Sequence, residues 1–221
     1  MPSVAVVGAG GMGREVAEMV LACAEAGSDW DLLGFLDDSP TSQGTFVMGF
    51  PVLGPGEWIA DHPDVQLVLG IGHPRTRRRV TCRLTALGAT WMTLVHPSVI
   101  VSRSARVGYG CVVFAGCVLS ADCRLGDFTY LNYNTVVSHD AEVADHACIM
   151  AQVTLSGNVR VGEGAFVGVG VSTRQGVSIG EWSIVGAGAS VVRDIPPLCV
   201  AAGVPAHPKR FYDSWDEMPP F

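Results

Sequence analysis

The sequence predicts an α/β domain with a parallel sheet over residues 1–95, followed by a three-faced prism of short stacked strands over residues 96–210. Three observations predict it: strands alternating with helices in the first half, a glycine-rich turn after the first strand, and a six-residue repeat through the second half. The 221 residues suffice for two small domains. Charged residues make up only 16% and hydrophobic ones 48%, so the composition argues for a large amount of apolar backbone. Fourteen basic against 21 acidic residues give a net charge of −7, which excludes a nucleic-acid-binding surface spread over the whole chain. The uncharged stretch 84–102 is interrupted by threonines, Gly88, His96 and Pro97, so no membrane span is expected. Residues Met1-Pro2-Ser3-Val4 carry no basic segment ahead of an apolar one, and the expected location is cytoplasmic.

Val4-Ala5-Val6-Val7 reads as a buried strand and leads into Gly8-Ala9-Gly10-Gly11-Met12-Gly13. A helix is predicted from about Met12 to Ala26, with Val16, Met19, Val20 and Cys23 at helical spacing. Leu32–Leu36 is a second strand ending at Asp37-Asp38, Val65–Ile71 a third, and Arg75–Leu87 a second helix. Gly8-x-Gly10-x-x-Gly13 in a strand–turn–helix setting is the fingerprint of a Rossmann-like phosphate-binding turn. Its glycines admit a phosphate close to the backbone, and the helix N-terminal amides attract its charge. About ninety residues hold little more than one mononucleotide half, which favours a nucleotide-sugar diphosphate over a nicotinamide cofactor. Asp37 and Asp38 are candidates to meet a base or ribose, and Gly72 and His73 at a strand end to meet sugar or phosphate. The run Arg75-Thr76-Arg77-Arg78-Arg79 reads as a solvated helix face.

From Val101 to Val191, sixteen positions step by six, and fifteen of them are aliphatic; the exception is Thr173. Four residues after each comes a mostly small one, including Cys111, Cys117 and Cys123. Strand side chains alternate faces, so each hexad is one short strand plus a corner, and three hexads close a coil of eighteen residues. Glycine and Asn-type residues are expected at the corners, where positive φ is needed. The aliphatic column, with each buried Val, Leu or Ile worth about 1.5–3 kcal/mol before entropy, is the source of stability. The seven cysteines include no Cys-x-x-Cys pair and read as small ladder residues, with no metal expected. Val137 and Ala141 are the inward pair of their hexad, which leaves His139 at the turn.

The hexads resemble the hexapeptide-repeat acyltransferases, and the handedness is taken from that resemblance: left-handed parallel β-helices that usually trimerise, with coenzyme A in the groove between neighbours. Gly8 to Glu15, Gly34-Phe35-Leu36-Asp37-Asp38, Leu94-Val95-His96-Pro97-Ser98, Leu131-Asn132 and His139-Asp140 follow in order. Together they resemble the bacterial nucleotide-sugar N-acetyltransferases and sialic acid O-acetyltransferases, from Val4 to about Arg210. The resemblance implies an acetyl-CoA-dependent N-acetyltransferase acting on a nucleotide-linked amino sugar, such as a 4-amino-4,6-dideoxyhexose, and working as a homotrimer. It makes His139 the catalytic base, Asp140 its orienting acid, and Asn132 a neighbour of the acceptor sugar. It lays acetyl-CoA along Cys148, Gly157, Val169 and Ala187, with Pro205 and Ala206 near the adenine and Lys209 near phosphate; residues 211–221 are left as a tail. The alternatives are O-acetylation of sialic acid or another sugar, and a trimeric protein that only binds a nucleotide sugar. A nicotinamide oxidoreductase is disfavoured by the length of the first domain.

Overall fold

The computed structural model describes residues 2–217 and divides into two compact units, Met1–Gly72 with Thr76–Pro97, and His73–Arg75 with Ser98–Phe221. The predicted tail residues 218–221 lie outside the described residues. Among the described residues, no helix is long and apolar enough to cross a membrane.

In the first unit, β1 (Ser3–Val7) is flanked by β2 (Asp31–Leu36) and by β5 (Gln66–Leu69). The full order is β3-β4-β2-β1-β5-β6, with β3 (Phe46–Val47), β4 (Phe50–Gly54) and β6 (Thr90–Trp91). All pairs are parallel except the β3–β4 hairpin. Two helices, α1 (Gly11–Glu25) and α2 (Pro74–Ala86), lie within a residue of their predicted bounds. The inner strand β1 buries Val4, Ala5 and Val6 completely, as a strand covered on both faces must. The arginine run departs from expectation. Arg77 is fully buried and donates Nη1–H to Ile71 O at 2.6 Å, so only part of that helix face is solvated.

The second unit is a left-handed parallel β-helix. Its two-residue strands pair with the strand eighteen residues on, for example Val112 with Tyr130, Val118 with Val136 and Arg106 with Arg124. The inward column Leu119, Leu131, Val137, Val143, Ile149, Leu155, Val161 and Val167 is at most 2% exposed. Outward side chains give each face a distinct chemistry. One is aromatic and apolar (Val112, Tyr130, Cys148, Phe166, Ile184), one uncharged (Ile100, Val118, Val136, Thr154, Ser172, Ser190), and one charged (Arg106, Arg124, Glu142, Arg160).

Each corner from Gly110 to Gly188 has a left-handed residue at six-residue intervals, and these include Phe128, Asp140, His146 and Trp182 as well as glycines. The expected glycine and Asn-type residues hold ten of these fourteen corners, and Phe128, His146, Gln152 and Trp182 are the exceptions. The glycines that directly follow the aliphatic position serve another purpose: a Cβ on Gly126 would fall 2.8 Å from Asp145 N in the next coil. They allow close stacking. Cys199–Ala202 and His207–Phe211 form an antiparallel hairpin, and Trp215 packs on Trp182 with ring centroids 4.7 Å apart. The predicted tail is thus partly built into the second unit.

Candidate functional site

In the first unit the glycine turn is shaped by close approach. Gly8 has φ +101°, and a Cβ on Gly13 would lie 2.7 Å from the Gly8 carbonyl carbon. A Cβ on Gly70 would likewise meet Gly13 Cα at 2.7 Å, so β1, β5 and the start of α1 touch backbone to backbone. Gly10 is the N-cap of α1 and caps with no side chain; Gly10 and Gly11 are exposed, and a Cβ on Gly10 would meet nothing within 4 Å. The helix start is therefore open to an anion. Met12 is half-buried, with its Cε 3.3 Å from where a Gly72 Cβ would stand. His73 follows in sequence but belongs to the second compact unit.

The aspartates carry local bonds of their own. Asp37 accepts hydrogen bonds from Ala9 N–H at 2.8 Å and Ser39 N–H at 2.9 Å, one on each carboxylate oxygen. Asp38 accepts from Gly56 N–H at 2.9 Å and pairs with Arg83 at 2.5 Å. Partial burial pushes the Asp38 pKa up, but the Gly56 N–H and the Arg83 guanidinium outweigh it and hold it below the usual value. Both carboxylates brace the fold: Asp37 closes the glycine turn, and Asp38 ties the end of β2 to α2.

In the β-helix, His139 and Asp140 occupy the corner between the uncharged and charged faces, and Asp140 is its left-handed residue. His139 Nδ1 lies 2.8 Å from Asp140 Oδ2, and both side chains are half exposed. With Nδ1–H donating to the carboxylate, Nε2 carries the lone pair. Gly157, one coil on, is buried beneath the ring: its Cβ would fall 2.5 Å from His139 Nε2.

Asn132 stands at the next corner, between the aromatic and uncharged faces, with Oδ1 accepting from Tyr133 N–H at 2.6 Å. Val169 and Ala187, both exposed, share that edge, and the Gly203–Ala206 segment ends it through Ser190 N–H to Gly203 O at 3.1 Å. Pro205 and Lys209 are exposed, but Ala206 is buried and gives its N–H to Ser190 O at 2.8 Å. Within one chain, the whole uncharged face separates the Asn132 edge from the His139 edge. The sequence carried this signal, since seven residues is one face plus one.

Cys148 is placed differently from the exposed corner residues. It lies on the aromatic face and is completely buried, so it has no exposed thiol to offer a coenzyme. His146 sits at the third corner, stacked on Phe128 with centroids 5.2 Å apart and rings 4° from parallel. It is part of an aromatic column. Burial pushes the Cys117 and Cys123 thiols up to about 11, as inert ladder residues require. Among the described residues, no three His, Cys, Asp or Glu side chains gather to hold a metal.

A family model described as the PglD N-terminal domain matches residues 3–84. A curated relative, UDP-N-acetylbacillosamine N-acetyltransferase of Bacillus subtilis (strain 168), is 39% identical over 120 residues. That alignment covers 52% of this chain and 52% of the relative, so the match spans about half of its length. Among solved structures, PerB from Caulobacter crescentus, in complex with CoA and GDP-perosamine, is 34% identical with a TM-score of 0.85, covering 94% of this chain and 97% of that one. The acetyltransferase domain of PglB from Neisseria gonorrhoeae is 37% identical with a TM-score of 0.85, covering 95% and 100%.

Proposed function

As the chain belongs to the family of bacterial nucleotide-sugar N-acetyltransferases, we propose that it moves an acetyl group from acetyl-CoA to the amine of a nucleotide-linked amino sugar. The observation that carries the reading is the His139–Asp140 pair: an imidazole locked through Nδ1 at 2.8 Å and half exposed at a corner. The amine nitrogen attacks the thioester carbonyl, the carbon–sulfur bond breaks, and His139 Nε2 takes the proton the nitrogen sheds. That proton then goes to the departing thiolate, so the imidazole returns to its starting state. Asp140 keeps the ring in the tautomer that can do this and stabilises the imidazolium between the two steps. Backbone amides along the β-helix meet the oxyanion of the tetrahedral intermediate.

The open start of α1 takes the diphosphate of the nucleotide, through the Gly10 and Gly11 amides. Asn132, Val169, Ala187, Pro205 and Lys209 line the edge assigned to the acceptor and the coenzyme arm. His139 lies on the other edge of the uncharged face, so a complete site draws on two copies of the chain. That face bears Ile100, 66% exposed, above half-buried Val118 and Val136. Aliphatic side chains so displayed favour burial against a second copy, which supports a homotrimer with the uncharged faces turned inward. The acceptor class is a nucleotide-linked 4-amino-4,6-dideoxyhexose, a reading supported by the Caulobacter relative's complex with CoA and GDP-perosamine. The experiment is a panel of nucleotide-linked amino sugars with acetyl-CoA, following free thiol. Release of thiol with a mass gain of one acetyl on a 4-amino sugar supports the reading; turnover only of hydroxyl acceptors overturns it.

A further inference from the structure

Thr173 interrupts an otherwise aliphatic inward column, and the reaction as described gives it no part. It is 8% exposed, and its hydroxyl makes a contact that no other rung of the uncharged face makes among the described residues. Elsewhere on that face, the outgoing N–H reaches a carbonyl one coil on: Ser120 to Val137 O at 2.9 Å, Ser138 to Leu155 O at 2.9 Å, Arg174 to Val191 O at 2.7 Å. At Ser156 the pattern changes. Its N–H donates to Thr173 Oγ1 at 2.9 Å, and its own hydroxyl donates to Thr173 O at 2.6 Å. The strands here pair only at Thr154 with Ser172, whereas the neighbouring pairs on this face hold two rungs. Serine is not the cause, because Ser120 and Ser138 occupy the same column and keep the ordinary rung. Thr173 is what differs.

The residue after Ser156 is Gly157, the floor beneath His139. Equivalent positions one coil apart are Ala121, His139, Gly157 and Gln175, so this corner accepts side chains. Gly157 also lacks the positive φ that would itself demand glycine. The imidazole is the reason: a Cβ on Gly157 would lie 2.5 Å from Nε2 and 3.1 Å from Nδ1 of His139. Gly157 is held on its other side by Gly176, whose N–H donates to Gly157 O at 2.9 Å, while the adjoining Asn158 N–H donates to His139 O at 3.0 Å.

We infer that Thr173 and Ser156 form a clasp that sets the height of Gly157, and through it the seat of the His139 imidazole. Thr173 is thereby a positioning residue for the base. The inference rests on the reading of His139 as that base. Catalytic groups misplaced by about 1 Å lose on the order of 10²-fold in rate, so a shift of a fraction of that is expected to cost about tenfold.

The test uses Thr173→Val, which keeps the shape and restores the aliphatic rung, with Thr173→Ser as the conservative partner and His139→Ala measured alongside. Thr173→Val is expected to lower kcat about tenfold with KM for acetyl-CoA changed less than about threefold, and Thr173→Ser to recover most of it. In a His139→Ala background, Thr173→Val is expected to add nothing further. Wild-type kcat in Thr173→Val beside a slow His139→Ala overturns the clasp and leaves the base reading standing. Equal losses from Thr173→Val with and without His139 also overturn it. A fully active His139→Ala instead sinks the base reading itself. Should Thr173→Val not fold, Gly157→Ala attacks the same seat from below: loss of kcat at constant KM supports the seat, and unchanged kcat overturns it.

Discussion

Around the glycine turn of the first unit, the fold uses up nearby polar atoms: Ala9 N–H goes to Asp37, Asp37 also takes Ser39 N–H, and Asp38 is shared by Gly56 and Arg83. What faces outward is the exposed backbone of Gly10 and Gly11. Along the β-helix, the polar backbone is consumed rung by rung and the aliphatic column holds the coils together, so a corner side chain such as His139 has no duty in the ladder. The first unit therefore presents backbone to a ligand, and the second adds corner side chains such as His139 to its corner backbone. The difference teaches where to look in each: at close approaches of backbone in the one, and at departures from the repeat in the other.

The largest effect expected bears on the ladder. Leu131→Ala removes a fully buried rung and is expected to cost about 2–5 kcal/mol, measured by denaturant unfolding. A cost under about 1 kcal/mol would break the contrast, since the column would then not carry the second unit.

The next effect is pH-dependent. Burial raises the Cys117 and Cys123 thiols from 9.0 to about 11 in the folded chain. The unfolded chain loses these protons first as pH rises through 9, so the stabilisation is complete below pH 9 and is lost between pH 9 and about 11. At about 1.4 kcal/mol per pH unit per thiol, the two give an alkaline slope that Cys117→Ala with Cys123→Ala should flatten. An unchanged slope in that double variant would show that the thiols are not buried ladder residues.

The smallest is in the first unit. Asp37→Asn keeps an acceptor for only one of the two N–H groups and is expected to cost about 1 kcal/mol, with a several-fold weaker nucleotide affinity by calorimetry. Weaker nucleotide binding with unchanged stability would instead make Asp37 a ligand-facing acid.

The prism was readable from the sequence because a six-residue period is a property of neighbours along the chain. The helices at Gly11–Glu25 and Pro74–Ala86 were readable for the same reason. The β3–β4 hairpin was not, because its strands are short and its turn is Met48-Gly49 rather than a strong turn pair. Nor were Ala9 as a partner of Asp37 and Gly56 and Arg83 as partners of Asp38, which lie 18 to 45 residues away in sequence. The pairing of His139 with Asp140 was legible as adjacent residues, whereas Gly157 as the floor under the ring is a contact one coil on that only the stacking reveals. The complete burial of Cys148 was not legible either, because an outward register says nothing of what covers the face. Thr173 was visible as an exception, but its meaning depends on Ser156, seventeen residues earlier.

The most direct test of the account is kcat for His139→Ala against the wild type, on a nucleotide-linked 4-amino sugar with saturating acetyl-CoA and thiol release as the readout. The account predicts a fall of at least about tenfold with both KM values within about threefold, as for a group that acts in the transition state. A variant turning over at the wild-type rate would contradict it.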